Sequence, residues 1–176
     1  LQRYMTGARQ TAAKAYYELA SQPHRVSWRG AFSADTMENR AAISYGIRRY
    51  ARRDAQKAAD AWRTFRSSHA FSASERQLLN EHIAVELARD GQFPETSQRE
   101  ILASKFALNC MVNAAIAHQR WDELLYWINR VSGLEAGKSR NQYWLARAQQ
   151  QLGQPHSFAE LAARRDYYGF MAAAQV

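Results

Sequence analysis

The chain has 176 residues, 47% of them hydrophobic and 23% charged, enough to bury a core and too few for two large domains. Its 24 Lys and Arg against 16 Asp and Glu leave a formal charge of +8, unevenly spread: residues 1–88 hold 14 basic and 8 acidic groups, residues 89–176 hold 10 and 8. The mean hydropathy is -0.57, and the longest mostly apolar stretch, Phe106 to Ala117, is interrupted by Asn109 and Asn113, which excludes a membrane-spanning helix of about 20 apolar residues.

Alanine is abundant while Val, Ile, Thr, Gly and Pro are sparse, the composition of an all-α chain. Thr11 to Ala20 reads as a first helix, followed by an irregular connection from Ser21 through Pro23, Trp28 and Gly30 to Phe32. From Asp35 onward Met37, Ala41, Ile43, Tyr45, Ile47, Tyr50 and Ala51 recur three and four apart, the stripe of a second helix. Asp54, whose carboxylate can cap free amides, precedes a third with Ala58, Ala61, Trp62 and Phe65. Ser72 followed by Glu75 spells a capping box ahead of Leu79, Ile83 and Leu87, with Gly91 and Pro94 as the stop. Ser97 and Glu100 repeat that spelling and predict the longest helix, through Ile101, Lys105, Leu108, Val112, Ala115 and Ile116. Trp121, Leu124, Leu125, Ile128 and Val131 follow, closed by Gly133. Trp144, Ala148 and Leu152 mark another helix, and after Gly153, Gln154 and Pro155 a partner carries Phe158, Leu161 and Ala162.

Short helices with one apolar stripe each must stack on their neighbours. The stretches Ala58 to Phe65, Leu124 to Val131 and Phe158 to Arg165 are offset by about 66 and 34 residues, close to two units and one unit of a 34-residue repeat. The expected architecture is a right-handed α-superhelix of stacked, tetratricopeptide-like pairs with degenerate repeats.

The chemistry of catalysis is missing. The acids Glu75, Glu81, Glu86, Glu100, Glu123 and Glu160 fall on the expected wet helix faces, and no phosphate-binding glycine loop, HExxH or GxSxG occurs. The single cysteine, Cys110, sits among Leu108, Met111 and Val112 as a small buried hydrophobe. No pair among His24, His69, His82, His118 and His156 has a zinc-like spacing of about three to five residues, so no metal or other cofactor is expected. The informative surface is basic. Arg48, Arg49, Arg52 and Arg53 place two like-charged i, i+4 pairs at one helix end, which needs either an anion to answer them or a structural use near a helix C-terminus. Trp28, Trp62, Trp121, Trp127 and Trp144 are packing anchors or, where exposed, platforms for sugars or bases.

One segment carries a resemblance. Tyr143, Trp144, Ala146, Arg147, Ala148, Leu152 and Gly153, together with Arg165, Tyr167, Tyr168, Gly169, Phe170, Ala172 and Ala173, resemble the end of the superhelical region of the soluble lytic murein transglycosylases. The run from Gly46 to Asp54 with Ala58 and Trp62, and Arg120-Trp121 leading into Trp127-Ile128, are also similar, so the likeness spans most of residues 40–174. The resemblance implies a periplasmic bacterial enzyme that cleaves the MurNAc-β-1,4-GlcNAc bond of peptidoglycan without water, leaving 1,6-anhydro ends. In that family the catalytic Glu lies in a Glu-Ser motif of a later domain, and none of the ten Glu residues here is followed by Ser. The chain, which opens on Leu1 without a signal core, is therefore expected to be a scaffold segment of a longer protein, without catalytic residues of its own. Residues 1–165 would form the superhelical segment and 166–176 the start of a helix toward a catalytic region. The implied glycan-binding residues are Arg48, Arg49, Arg52, Arg53, Trp121 and Trp144, and the junction motif is Tyr167, Tyr168, Gly169 and Phe170. Implied partners are peptidoglycan strands and the protein's own catalytic domain, with no nucleic acid. Two other readings stay open on the residues alone: a tetratricopeptide-like module whose concave face holds a partner's peptide, and an RNA-binding helical repeat using Arg48 to Arg53.

Overall fold

The computed structural model describes residues 8–133 and 137–176; those parts of the expected superhelical segment at residues 1–7 and 134–136 lie outside them. The described residues form ten α-helices and two short 3-10 turns, with no strand among them, so the chain is all-α. It divides into two compact units at residue 87.

The first unit contains α1 (Ala8–Ser21), 3-10 turns at Pro23–Ser27 and Arg29–Phe32, α2 (Met37–Ala51), α3 (Ala55–Ser68) and most of α4 (Ala73–Arg89). Start signals in the sequence decide these elements. Asp54 accepts the Lys57 amide at 3.0 Å and opens α3. Ser72 and Glu75 form the reciprocal box, Glu75 N donating to Ser72 Oγ at 3.2 Å and Ser72 N to Glu75 Oε2 at 2.7 Å. For α2 the cap is Thr36 rather than Asp35, accepting from Asn39 N at 3.1 Å. Asp35 instead accepts the Ala70 amide at 2.9 Å and ties the α3–α4 turn to the start of α2. Met37, expected in the buried stripe, lies one residue into α2 and is exposed. The core joins Leu19, Val26, Ile43, Ile47, Trp62, Phe65, Phe71 and Leu79, each such side chain contributing about 1.5–3 kcal/mol on burial. Trp62 satisfies its indole N–H on Asn80 Oδ1 at 2.7 Å. The close approach of α2 to the first 3-10 turn depends on Gly46, where a Cβ would stand 2.9 Å from Val26 Cβ.

The second unit contains α5 (Thr96–Arg99), α6 (Lys105–Ala117), α7 (Trp121–Ser132), α8 (Ser139–Gln151), α9 (Ala159–Ala162) and α10 (Tyr167–Ala173). Here two expectations fail. The Ser97/Glu100 signal does not start a long helix: α5 is a single turn, and α6 opens separately on Ser104, which accepts from Ala107 N at 3.2 Å. Arg130 explains the break, because its guanidinium takes the Arg99 and Leu102 carbonyls at 2.8 and 3.0 Å, so these do not serve a continuing helix. The longest described helix is α4, with 17 residues against 13 in α6. The helix expected around Phe158 is likewise only the turn α9, and α10 completes the packing against α8. The core of this end is Tyr143, Ala146, Phe158, Leu161 and Ala172.

Gly169 fits α10 against the end of α9, since a Cβ there would fall 2.1 Å from the Arg164 carbonyl oxygen. Val26 Cβ moves only with its own 3-10 turn, but the shift needed there is smaller than at Gly169, where the overlap with a carbonyl oxygen is much deeper, so the two glycines are expected to differ in how much alanine costs. Gly169→Ala should lose about 2–3 kcal/mol and Gly46→Ala about 1 kcal/mol, even though alanine favours helix. Urea unfolding of both variants measures this; a stabilised Gly169→Ala would contradict the close approach.

Candidate functional site

The four arginines of α2 and its end do not form a free basic patch. Arg49 Nη2 donates to the Ala20 carbonyl at 2.7 Å, with its guanidinium 5.7 Å from the Tyr45 ring centre, and Arg53 Nη1 reaches the Ser21 carbonyl at 3.4 Å. These are the open carbonyls at the end of α1, where a cation is favoured by both hydrogen bonding and the helix dipole. Arg48 is half-buried and bends its Nε to Ser44 O at 3.2 Å, while Arg52 is exposed. The structure thus brings the four together and commits Arg49 and Arg53 to holding α1.

His82 extends the same arrangement from α4. Its Nε2 donates to the Arg48 carbonyl at 3.0 Å, and Glu86 Oε1 lies 3.8 Å from the same nitrogen. Burial pushes its pKa below the ordinary 6.5, outweighing the carbonyl and Glu86, which favour the charged ring, while Arg52 and Arg48 oppose it further.

The aromatic candidates lie in the second unit. Trp121 opens α7 half-buried, and Trp144 on α8 packs edge-on to Tyr143 at 5.3 Å. In the junction motif Tyr168 leans on Tyr143 at 5.8 Å and Gly169 is buried, whereas Tyr167 and Phe170 are exposed. Asp166 accepts from Ser139 Oγ and caps α10 through Gly169 N at 2.9 Å, and these, the first foremost, hold its carboxyl below the usual carboxylate range. Cys110 is half-buried rather than fully enclosed.

Three of the carboxylates expected on wet faces are buried: Glu81, Glu86 and Glu123. Glu81 accepts from Gln77 at 2.8 Å. Glu123 is the most enclosed, at 4% exposure, and its oxygens receive the Trp127 indole N–H at 2.9 Å and the Arg99 guanidinium. Arg99 also donates from Nε to Pro94 O at 3.2 Å and lies 4.5 Å from the Tyr126 ring centre. Arg99 and Arg130 thereby bind the irregular segment before α6 onto α7. The signal for Glu123 was its i, i+4 relation to Trp127, an indole that needs an acceptor once buried. This network is an architectural one, with every strong donor answered.

Two recesses open on the first unit. One, about 310 Å³, is lined by Ser27, Tyr50, Lys57, Asp60, Thr64 and Phe65, and its lysine is paired with Asp54 at 2.8 Å. The other, about 230 Å³, is lined by Lys14, Glu18, Arg25, Trp28 and Phe32 among others. Trp28 is 54% exposed, and sequence reasoning had not placed it in the candidate site. Among the described residues no group of three or more His, Cys, Asp and Glu is arranged for a metal ion, and no helix is long and apolar enough to cross a membrane.

No family model and no curated protein matches the chain. Among solved structures, an inactive mutant of the lytic transglycosylase Slt from Pseudomonas aeruginosa matches 93% of it with a TM-score of 0.77 and 26% sequence identity. The fold is lytic transglycosylase-like. The chain spans 28% of the length of the Slt structure. The resemblance to the lytic transglycosylases read from the sequence is thus met by a backbone likeness over most of the chain.

Within this lytic transglycosylase-like fold the Arg99–Glu123 pair and His82 give separate tests. Removing one partner of a buried ion pair costs about 3–5 kcal/mol; with Arg99 partly exposed, Arg99→Met should cost about 3 kcal/mol and Glu123→Gln less, because its amide oxygen still accepts from Trp127. Chemical denaturation of the single and double variants checks this, and additive losses would rule out the coupling. For His82, the unfolded chain takes up a proton before the folded one does. Its contribution to stability is full above pH 6.5 and is lost as pH falls through 6.5 toward the depressed folded value. His82→Gln, which keeps a donor for Arg48 O, should flatten that acid limb of the stability curve; an unchanged limb would assign it to other groups.

Proposed function

We propose that this chain is a helical scaffold segment of a periplasmic lytic transglycosylase, one that shapes or guides the peptidoglycan strand while the bond-breaking Glu resides elsewhere in the protein. The observation that carries this reading is the match of nearly the whole chain to about a quarter of a lytic transglycosylase, at a TM-score of 0.77. The Tyr167-Tyr168-Gly169-Phe170 segment and the lack of a Glu-Ser step in the sequence support it. The substrate of the complete enzyme is the MurNAc-β-1,4-GlcNAc bond, opened to a 1,6-anhydro product by a catalytic domain that this scaffold would hold.

The binding role assigned to Arg48, Arg49, Arg52 and Arg53 narrows within this reading. Arg49 and Arg53 hold the end of α1, which leaves Arg52 and the outer edge of Arg48 to meet an anionic glycan. Trp121 and Trp144 are both half-buried and keep part of their surface open. Tyr167 and Phe170, exposed on α10, are the surface proposed to meet the catalytic domain.

The chain should sediment with purified sacculi, and the bound fraction should drop as salt screens the surface charges, whose reach is about 8 Å at physiological ionic strength. Arg52→Gln, which removes the charge without placing an anion at the end of α2, should lower binding severalfold with little change in melting temperature. Chromatography of the supernatant should show no anhydro-muropeptides. Failure to sediment, or release of such products by the chain alone, would overturn the scaffold reading.

A further inference from the structure

The recess beside α1 combines features that the packing of the first unit does not require. Trp28 sits between the two 3-10 turns with more than half its surface open, yet its indole is held in place. The Arg25 guanidinium lies 4.8 Å from its ring centre and the His24 ring meets it edge-on at 6.2 Å. Short hydrogen-bonded turns on both sides, with Trp28 N donating to Arg25 O and Ala31 N to Trp28 O, each at 3.0 Å, fix the backbone that carries it. A large aromatic surface left in water on a rigid mount is a platform for stacking.

The polar groups around the platform are under-used. Arg25 Nε is buried and has no hydrogen-bond partner among the described residues. Water cannot reach that N–H and neither can a ligand oxygen; what Arg25 offers a ligand is the third of its side chain that stays exposed. The nearest carboxylate, Glu18, approaches Arg25 Nη1 only to 3.6 Å, beyond hydrogen-bond length. Lys14 adds a second cation at the rim. The recess therefore presents two cations, one carboxylate and a flat apolar face within about 230 Å³, smaller than the roughly 300 Å³ at which drug-sized pockets begin.

We propose that this recess is a saccharide subsite for one carboxylate-bearing N-acetylated sugar, with Trp28 stacking on the apolar ring face and Lys14 and Arg25 holding the carboxylate. Glu18 favours a sugar over a nucleotide: it accepts hydroxyl and acetamido N–H donors, and it repels a phosphate dianion more strongly than the single charge of a carboxylate. That the sugar is N-acetylmuramic acid rests on the peptidoglycan reading above; the stacking platform and the charge pattern do not.

The test uses the intact 176-residue chain, isotopically labelled, titrated with free N-acetylmuramic acid, with N-acetylglucosamine, which lacks the lactyl carboxylate, and with adenosine monophosphate. The Trp28 indole resonance, identified by its disappearance in Trp28→Ala, and the backbone amides of Ala31 and Phe32 report binding. N-acetylmuramic acid should produce a saturable shift in the millimolar range, and N-acetylglucosamine, which forfeits the contacts to both Lys14 and Arg25, should bind more than about tenfold more weakly. Loss of one charge-assisted contact in Arg25→Gln should weaken the muramic acid about tenfold. Trp28→Ala should abolish the shifts at Ala31 and Phe32, while Trp28→Phe retains them at reduced affinity and shows that the mount survives. No saturable shift, equal affinity for the two sugars, tighter binding of the nucleotide, or shifts indifferent to both Arg25 and Trp28 would each overturn the subsite. The sacculus experiment separates the two claims. Sedimentation unchanged in a chain whose recess takes no sugar removes this subsite alone, whereas muramic acid binding in a chain that ignores sacculi removes the scaffold reading and leaves the subsite standing.

Discussion

A short helix ends in carbonyls that its own amides cannot reach, and an all-helical chain with brief connections has to find donors for them. Here the donors come from later elements. Arg49 and Arg53 reach back to Ala20 and Ser21, His69 to Phe32, and His82 to Arg48 in the first unit. In the second, His118 reaches Arg89 and Arg130 reaches Arg99 at helix ends, while Arg130 and Arg164 also take the loop carbonyls of Leu102 and Gly137. The sequence separations run from 27 to 37 residues, about one helix pair each time. The bond that closes one element is thus also the bond that sets where the next pair docks. Apolar stripes supply most of the burial, but a stripe alone lets a helix slide, whereas a guanidinium on a named carbonyl does not.

This arrangement changes how the positive charge is understood. A surplus of arginine invites the idea of a polyanion, yet several of these side chains are spent on the protein's own backbone and are half-buried in the process. What faces outward is smaller and more local than the formal +8 implies. Recognition of a glycan by such a surface would lean on a few positions with geometry, such as the indole of Trp28 and the cations beside it, rather than on bulk attraction.

The fold class and the helix starts governed by neighbours in sequence were readable because both partners lie within a turn: Asp54 with Lys57, and Ser72 with Glu75. The same spelling at Ser97 and Glu100 misled, since the decision there belongs to Arg130, some thirty residues away on α7. The buried carboxylates were missed for a related reason. Glu123 looks solvated until Trp127 and Arg99 converge on it, and only the first of these is visible at helical spacing. In the arginine cluster of α2, Arg49 and Arg53 find acceptors on α1, some thirty residues back and beyond the reach of any spacing rule. The Trp28 recess was not legible at all, because it is assembled from α1 and two irregular turns whose geometry has no periodic signature.

The acceptor in each of these long-range clamps is a peptide carbonyl, and every residue type carries one. A clamp therefore makes a chemical demand at one address and none at the other. Over many generations the gripped positions are free to change identity while the grip persists, so an architecture of this kind can outlast the spelling of its own repeat. A backbone that follows another at a TM-score of 0.77 while sharing 26% of its residues is what such one-sided bonding permits.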